Sequence, residues 1–252
     1  MTDAHILTAL GYDVRRSEGG RRATATIVPE MHAPGTKALR ASILATWVDV
    51  IAGHLALDHI APRVPVTLNL DVHVVDPRRE IRALQADAHV IKQGSSVLVV
   101  RVDVLDEQRR PVALGTVSFM PSPNAALTFD PSRIDAERPF LTTERLTVPF
   151  AEHASCVREE PGVASLPFAP NAINASNTLQ GGLVVLVAEE AALSLFGAGE
   201  VAVSSMVVRY LRPVRTGPAI GRATHLGSFC DTTVHDGGAV DRVAMAATIG
   251  LA

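Results

Sequence analysis

Asn174-Ala-Ser-Asn-Thr-Leu-Gln180-Gly181-Gly182-Leu-Val-Val-Leu-Val-Ala-Glu189 reads as a loop, a glycine pair at the start of a helix, and an apolar helix that carries a carboxylate. An earlier stretch, Leu39-Arg40-Ala41-Ser42-Ile43-Leu44-Ala45-Thr46-Trp47-Val48-Asp49, has the same design. Each is followed by a strand that ends in proline, Thr67 to Pro77 in the first half and Val203 to Pro213 in the second. Asp49 and Glu189 are 140 positions apart and Pro77 and Pro213 are 136 apart, so the first half has four more residues between helix and strand. A duplicated unit absorbs such a change in a loop, and the pattern is read as an internal repeat.

The repeat organises the rest of the chain. Alternation over residues 22–31 predicts a strand before the Pro34-Gly35 turn, and a broad apolar stripe predicts an enclosed helix over 36–59. Strands follow near 66–75, 83–92, 96–105 and 111–119, with turns at Gln93-Gly94-Ser95 and Asp106-Glu107-Gln108-Arg109. Residues 121–139 are proline-rich and aperiodic, which divides the chain into a first domain at 1–122, a linker at 123–139 and a second domain at 140–252. The pattern then restarts, with a strand region at 146–158, a helix at 178–197 and strands at 203–212, 219–228, 230–235 and 240–249. One long helix served by an antiparallel meander is an α+β arrangement whose sheet must curl around the helix to bury it.

Composition narrows the function classes. A chain of 252 residues with 47% hydrophobic content supports two small domains or one large shared core. A net charge of -3 with no concentrated basic run speaks against nucleic acid as a partner. Cys156 and Cys230 lie far apart without metal-ligand or redox spacing, so a cytoplasmic location and no metal or other cofactor are expected. The N-terminus lacks the basic and apolar regions of a signal peptide. The apolar run Leu183–Leu195 carries Glu189 and Glu190 and falls short of the ~20 residues of a membrane span, so no membrane association is expected.

The segment Asn174…Gln180-Gly181-Gly182…Glu189, with the strand ending Tyr210-Leu-Arg-Pro213, resembles the hot-dog acyl-CoA thioesterases of the phenylacetate-degradation type, whose signature is Asn-x5-His-Gly-Gly-x6-Asp. With two repeats, the resemblance implies a tandem (double) hot-dog fold: two curled antiparallel sheets, each wrapped around a long helix and joined as an intramolecular pseudo-dimer. It also implies an acyl-CoA substrate and further association of such chains into a homo-oligomer.

In that family each site is composite. The resemblance assigns Asn174, Gln180 in the histidine place and Gly181 from the second half, with Asp49 and Thr67 from the first. Gly182 completes the glycine pair. Gly181 N–H would be the oxyanion donor, worth ~3 kcal/mol at a transition state. Asp49 would act on water as a general base or attack the thioester carbon itself. Thr67 would orient the water or the carboxylate, and Asn174 would brace the loop or the substrate. Gln180 can donate a hydrogen bond but cannot become cationic as histidine can.

The complementary site would draw on a position near Pro34, on Arg40 and Ala41, and on Glu189 and Val203, and it reads as decayed, with Glu189 its candidate carboxylate. The expectation is therefore one working site at the seam. Arg209, Arg212 and Arg215 are candidates for meeting coenzyme A phosphates at its rim. A hydratase or dehydratase and a non-catalytic acyl-CoA-binding protein are the alternatives. His32-Ala-Pro34-Gly35 and the Asp49…His54 spacing carry only fragments of the hydratase motifs.

Overall fold

Twelve strands form one continuous antiparallel sheet in the computed structural model, which describes all residues except 1–3, 131–144, 175 and 240–241. The first half contributes β1 (Asp13–Ser17), β2 (Gly20–Thr26), β3 (Pro65–Val74), β4 (Ala83–Gln93), β5 (Leu98–Asp106) and β6 (Pro111–Pro121). The second contributes β7 (Val157–Glu160), β8 (Val163–Leu166), β9 (Val203–Tyr210), β10 (Ala219–Leu226), β11 (Phe229–Asp236) and β12 (Arg242–Leu251). The order β1-β2-β4-β5-β6-β3-β9-β12-β11-β10-β8-β7 is a palindrome of the repeat, joined at its centre by the β3 and β9 ladder from Asn69↔Arg209 to His73↔Ser205. This is the tandem hot-dog expected from the duplication, with the two curled half-sheets fused edge to edge.

Each half-sheet wraps one long helix, α1 (Ala41–Ile60) or α2 (Gly181–Leu193). Both are apolar on nearly every side, which is the composition of a helix enclosed by its own protein rather than one lying on a surface. Ile43, Leu44, Ile51, Val185, Leu186 and Val187 are buried, facing inward strand residues such as Val100, Val102, Val234 and Ile249. By length and composition alone α1 could cross a membrane, but most of it lies inside this core. It stops where Ala61 precedes Pro62, since proline supplies no N–H and disfavours helix in the residue before it.

Several boundaries differ from the sequence expectation. Within 22–31 only β2 is strand, and residues Pro29–Met31 form a single 3₁₀ turn because the proline interrupts the ladder. The region 146–158 contains a short helix, Phe150–His153, between irregular segments, with β7 starting only at Val157. Strands β1 and β8, five and four residues long, are too short to carry a distinct periodic pattern. The second helix ends at Leu193 rather than near 197, and the first begins at Ala41 rather than near 36. Most of the expected linker, from 131 onward, lies outside the described residues.

Two details of the repeat position the site. The loop before each helix closes with matching backbone bonds, Arg40 N–H to Met31 O (3.0 Å) and Gln180 N–H to Ala172 O (2.9 Å). Each central strand also carries an irregular step near its start. Thr67 and Asn69 oppose Phe119 and Ser118, so Leu68 is an extra residue in the β3 and β6 ladder. Val203 and Ser205 likewise oppose Leu251 and Gly250. A bulge of this kind reverses the inside-outside alternation. It turns Thr67 toward α1, to the same face as Leu70 and Val72, where strict alternation would turn it away.

Candidate active site at the seam between the halves

The α1 stripe that meets the second half is Ser42, Thr46, Asp49 and Gly53, small or polar residues at helical spacing. The two long helices run antiparallel, with Ser42 against Glu189 and Thr46 against Gly182. A Cβ added at Gly182 would collide with the Thr46 side chain, so glycine is what lets the helices approach this closely. Because α2 begins at Gly181, α1 continues beyond it for more than two turns. Asp49 therefore lies just past the α2 N-terminus, and at Gly53 a Cβ would meet nothing within 4 Å.

Asp49 is partly exposed on an otherwise buried helix face. Burial of its carboxyl pushes its pKa up to about 6, and this outweighs the opposing effect of the hydrogen bond from Thr67. Thr67 Oγ1 donates that bond to Asp49 Oδ1 at 2.9 Å. The other carboxylate oxygen remains available for water or substrate.

The start of α2 supplies donors opposite. Gln180 is its N-cap, and its Oε1 accepts from Gly182 N–H at 2.5 Å, leaving the side-chain Nε2 to donate. Among the described residues no acceptor takes Gly181 N–H, one of the unpaired amides at the positive end of a helix. Asn174 shapes the preceding loop. Its Oδ1 accepts from Ser176 N–H (2.9 Å), Thr178 N–H (3.4 Å) and Thr178 Oγ1 (3.1 Å), holding a turn in which Asn177 has φ of 53°. Its side-chain oxygen thus braces the loop.

Sequence reasoning missed Tyr210. At the end of β9 its hydroxyl donates to Gly181 O at 3.2 Å, and burial together with the charge of Asp49 raises its pKa well above the usual value. Tyr210 thus lies within electrostatic reach of Asp49 and in contact with Gly181. The signal was present in the repeat, where Val74 stands at the matching position, three residues before Pro77.

The pseudo-equivalent seam has a different content. Arg40, the counterpart of Gln180, is buried and ion-paired to Glu189 (Nε to Oε2, 2.8 Å) and to Glu190. Glu189 also accepts from Ser42 N–H (3.1 Å) and Ser42 Oγ (2.6 Å). Its carboxylate, one methylene longer than that of Asp49, reaches the α1 N-terminus and occupies the amide there. Arg158 Nε closes the network on Glu190 at 2.6 Å. For Glu190 burial favours the protonated form, but the charges and hydrogen bonds of Arg40 and Arg158 outweigh it and lower the pKa. Val203, in the place of Thr67, has no hydroxyl to offer.

The three arginines expected at the rim lie at and beyond the end of β9. Arg209 pairs with Asp71, and Arg212 and Arg215 are exposed beyond the end of β9. A separate open groove of about 450 Å³, lined among others by Asp13, Thr24, Gln85, Glu107, Arg109 and Arg145, shares no lining residue with the seam.

A family model for the thioesterase superfamily matches residues 42–113, which include Asp49 and Thr67. Among solved structures the fold is similar to an acyl-ACP thioesterase from Bacteroides thetaiotaomicron (11% identity, 92% of this chain and 97% of that one, TM-score 0.63). It is similar to the tesB protein of Mycobacterium avium subsp. paratuberculosis (11% identity, 98% and 96%, TM-score 0.63). It is also similar to the 12:0-ACP thioesterase of Umbellularia californica (14% identity, 92% and 96%, TM-score 0.59). At these identities the likeness establishes the shared fold. No curated protein sequence matches the chain.

Proposed function

From the premise that this chain is a double hot-dog protein whose residues 42–113 are of the thioesterase superfamily, we propose that it hydrolyses an acyl thioester, with acyl-CoA the leading substrate class, at one composite site. The observation that carries the reading is the asymmetry of the two seams. At one, a carboxylate with a raised pKa stands beside a helix start whose Gly181 N–H has no acceptor among the described residues. At the other, Glu189 is tied to Arg40 and Ser42.

Asp49 takes a proton from a water molecule as the water oxygen bonds to the thioester carbon. The carbonyl oxygen becomes an oxyanion facing Gly181 N–H and the Gln180 amide. As the carbonyl re-forms, the carbon–sulfur bond breaks and the thiolate leaves, to be protonated by Asp49 or by solvent. A pKa near 6 keeps Asp49 mostly ionised at neutral pH while it remains basic enough to accept that proton. Thr67 holds one carboxylate oxygen and leaves the other facing the water.

The test is release of free thiol from a panel of acyl-CoA and acyl-ACP thioesters, with enoyl-CoA hydration measured beside it. Thiol release that depends on Asp49 supports the reading. Enoyl hydration without thiol release assigns the site to a hydratase, and binding without turnover assigns it to a carrier.

The open space over Gly53 is read as the path of the acyl chain, since Leu57 and Ile60 continue the same side of α1 as half-buried apolar residues. A glycine inside a helix costs about 0.5–1 kcal/mol relative to alanine, a cost that room for a substrate offsets. Gly53→Leu is expected to reduce kcat/KM for long-chain substrates at least ~10-fold, as filling an apolar subsite worth about 1–3 kcal/mol implies, while short-chain turnover is largely kept. A chain-length series with both proteins checks this, and a uniform loss at every length contradicts it.

A further inference from the structure

We propose that Tyr210 is a positioning residue for the thioester site, its hydroxyl holding the first turn of α2 so that Gly181 N–H stays directed at the developing oxyanion. The inference rests on the hydrolytic reading above and adds a residue to it.

Three observations carry it. The Tyr210 hydroxyl donates to Gly181 O at 3.2 Å, and the ring lies directly against Gly181. A Cβ added at Gly181 would sit 3.2 Å from Tyr210 Oη and 3.4 Å from its Cζ, so glycine and tyrosine fit each other there. The third observation is the asymmetry of the repeat. The matching position in the first half is Val74, which has no hydroxyl, and the carboxylate at that seam, Glu189, is tied to Arg40 and Ser42. Among the described residues the phenol thus stands at the seam whose carboxylate, Asp49, is held by no arginine.

The physical need follows from the glycines. Two in succession at a helix start have more backbone freedom than any other pair, and helix ends fray. Gly182 is held by Thr46 and by Gln180 Oε1, whereas Gly181 has no side chain to hold it. A carbonyl has two lone pairs, so Gly181 O can accept the phenol as well as its bond within the helix. The phenol therefore restrains the residue whose N–H must be in place before the reaction begins, which is where preorganised donors have their effect.

Tyr210→Phe keeps the ring and removes the bond. The expected result is a fall in kcat of about 10-fold or more, with KM within about twofold and the acid limb of the rate profile in place because Thr67 and the burial of Asp49 are untouched. Loss of one hydrogen bond lowers Tm by only a few degrees, about 2–4 °C per kcal/mol for a chain of this size.

Gly181→Ala supplies a second measurement. With tyrosine at position 210 the new methyl crowds the hydroxyl, and in the Tyr210→Phe variant it meets only ring carbon, so the cost of Gly181→Ala should be smaller when the two changes are combined. Unchanged kcat in Tyr210→Phe, a loss confined to KM, or strictly additive effects would overturn the inference and leave the hydrolase reading standing. No thiol release by the unmodified protein on any thioester overturns both.

Discussion

Asp49→Asn is expected to abolish thioester hydrolysis and to make the protein more stable at the same time. Removing a general base or a carboxylate nucleophile lowers kcat by about 10²–10⁴-fold, and asparagine has nearly the same shape. The stability effect has the opposite sign for an electrostatic reason. In the folded protein the carboxyl binds its proton more tightly than in the unfolded chain, with a pKa of about 6 against 3.8. Between those values the native state carries the extra proton, so stability falls as pH rises through that range and the penalty is complete above it.

That penalty is on the order of 2 kcal/mol after allowance for the partly open face of the residue. Asp49→Asn should therefore melt several degrees higher than the unmodified protein at pH 8, by about 2–4 °C per kcal/mol, and the gap should close near pH 4. Activity of the unmodified protein should rise with pH around a midpoint of about 6. Thr67→Val should move that midpoint upward, since the lost hydrogen bond favoured the ionised form. Paired melts at the two pH values and a pH–rate profile decide the matter. A less stable, still active Asp49→Asn protein rules out the assignment.

Arg40→Met is expected to be among the most destabilising single changes in the chain, with little loss of turnover per folded molecule. Arg40 is 1% exposed and is shared between two carboxylates, Glu189 and Glu190, that are 0% and 4% exposed. Removing one member of a buried ion pair leaves an uncompensated charge and costs about 3–5 kcal/mol. That corresponds to a Tm lower by roughly 10 °C. Replacing Arg40 by Met and Glu189 by Leu together should recover part of the loss, because Glu190 keeps Arg158 and no unpaired charge is left, while Ser42 N–H and Oγ lose their acceptor.

Chemical denaturation of the single and double variants, with activity normalised to the folded fraction, measures both parts. A catalytic role for the Arg40 seam would appear as a fall in normalised kcat. By the same reasoning Glu189→Gln should keep most of its hydrolysis per folded molecule, even if it melts lower.

Much of the site could be read from residue order because a duplication gives internal coordinates. Asp49, Gln180 and Gly181 each have a counterpart in the other copy of the unit, Glu189, Arg40 and Ala41, so their differences are visible without any other sequence for comparison. Thr67 was placed by counting back from Pro77. Alternation alone would put this residue on the other face, but a bulge next to it reverses the pleat and its hydroxyl meets Asp49. For the three arginines residue order gives only their place along the chain; in the structure Arg209 meets Asp71 from the neighbouring strand, and Arg212 and Arg215 are exposed beyond the strand end.

What residue order alone determined was local and periodic: two enclosed helices, the meanders around them, their repetition, and a carboxylate on one helix with a glycine pair opening the other. Those features depend on neighbours within a few positions, which spacing records. The tertiary structure decided how the halves meet. The offset of two antiparallel helices leaves Asp49 and Gly53 beyond the start of α2, brings Tyr210 onto Gly181, and lets Glu189 reach Arg40 and Ser42 at the other seam. Those outcomes depend on contacts between residues far apart in the chain, set by close packing at Thr46 and Gly182.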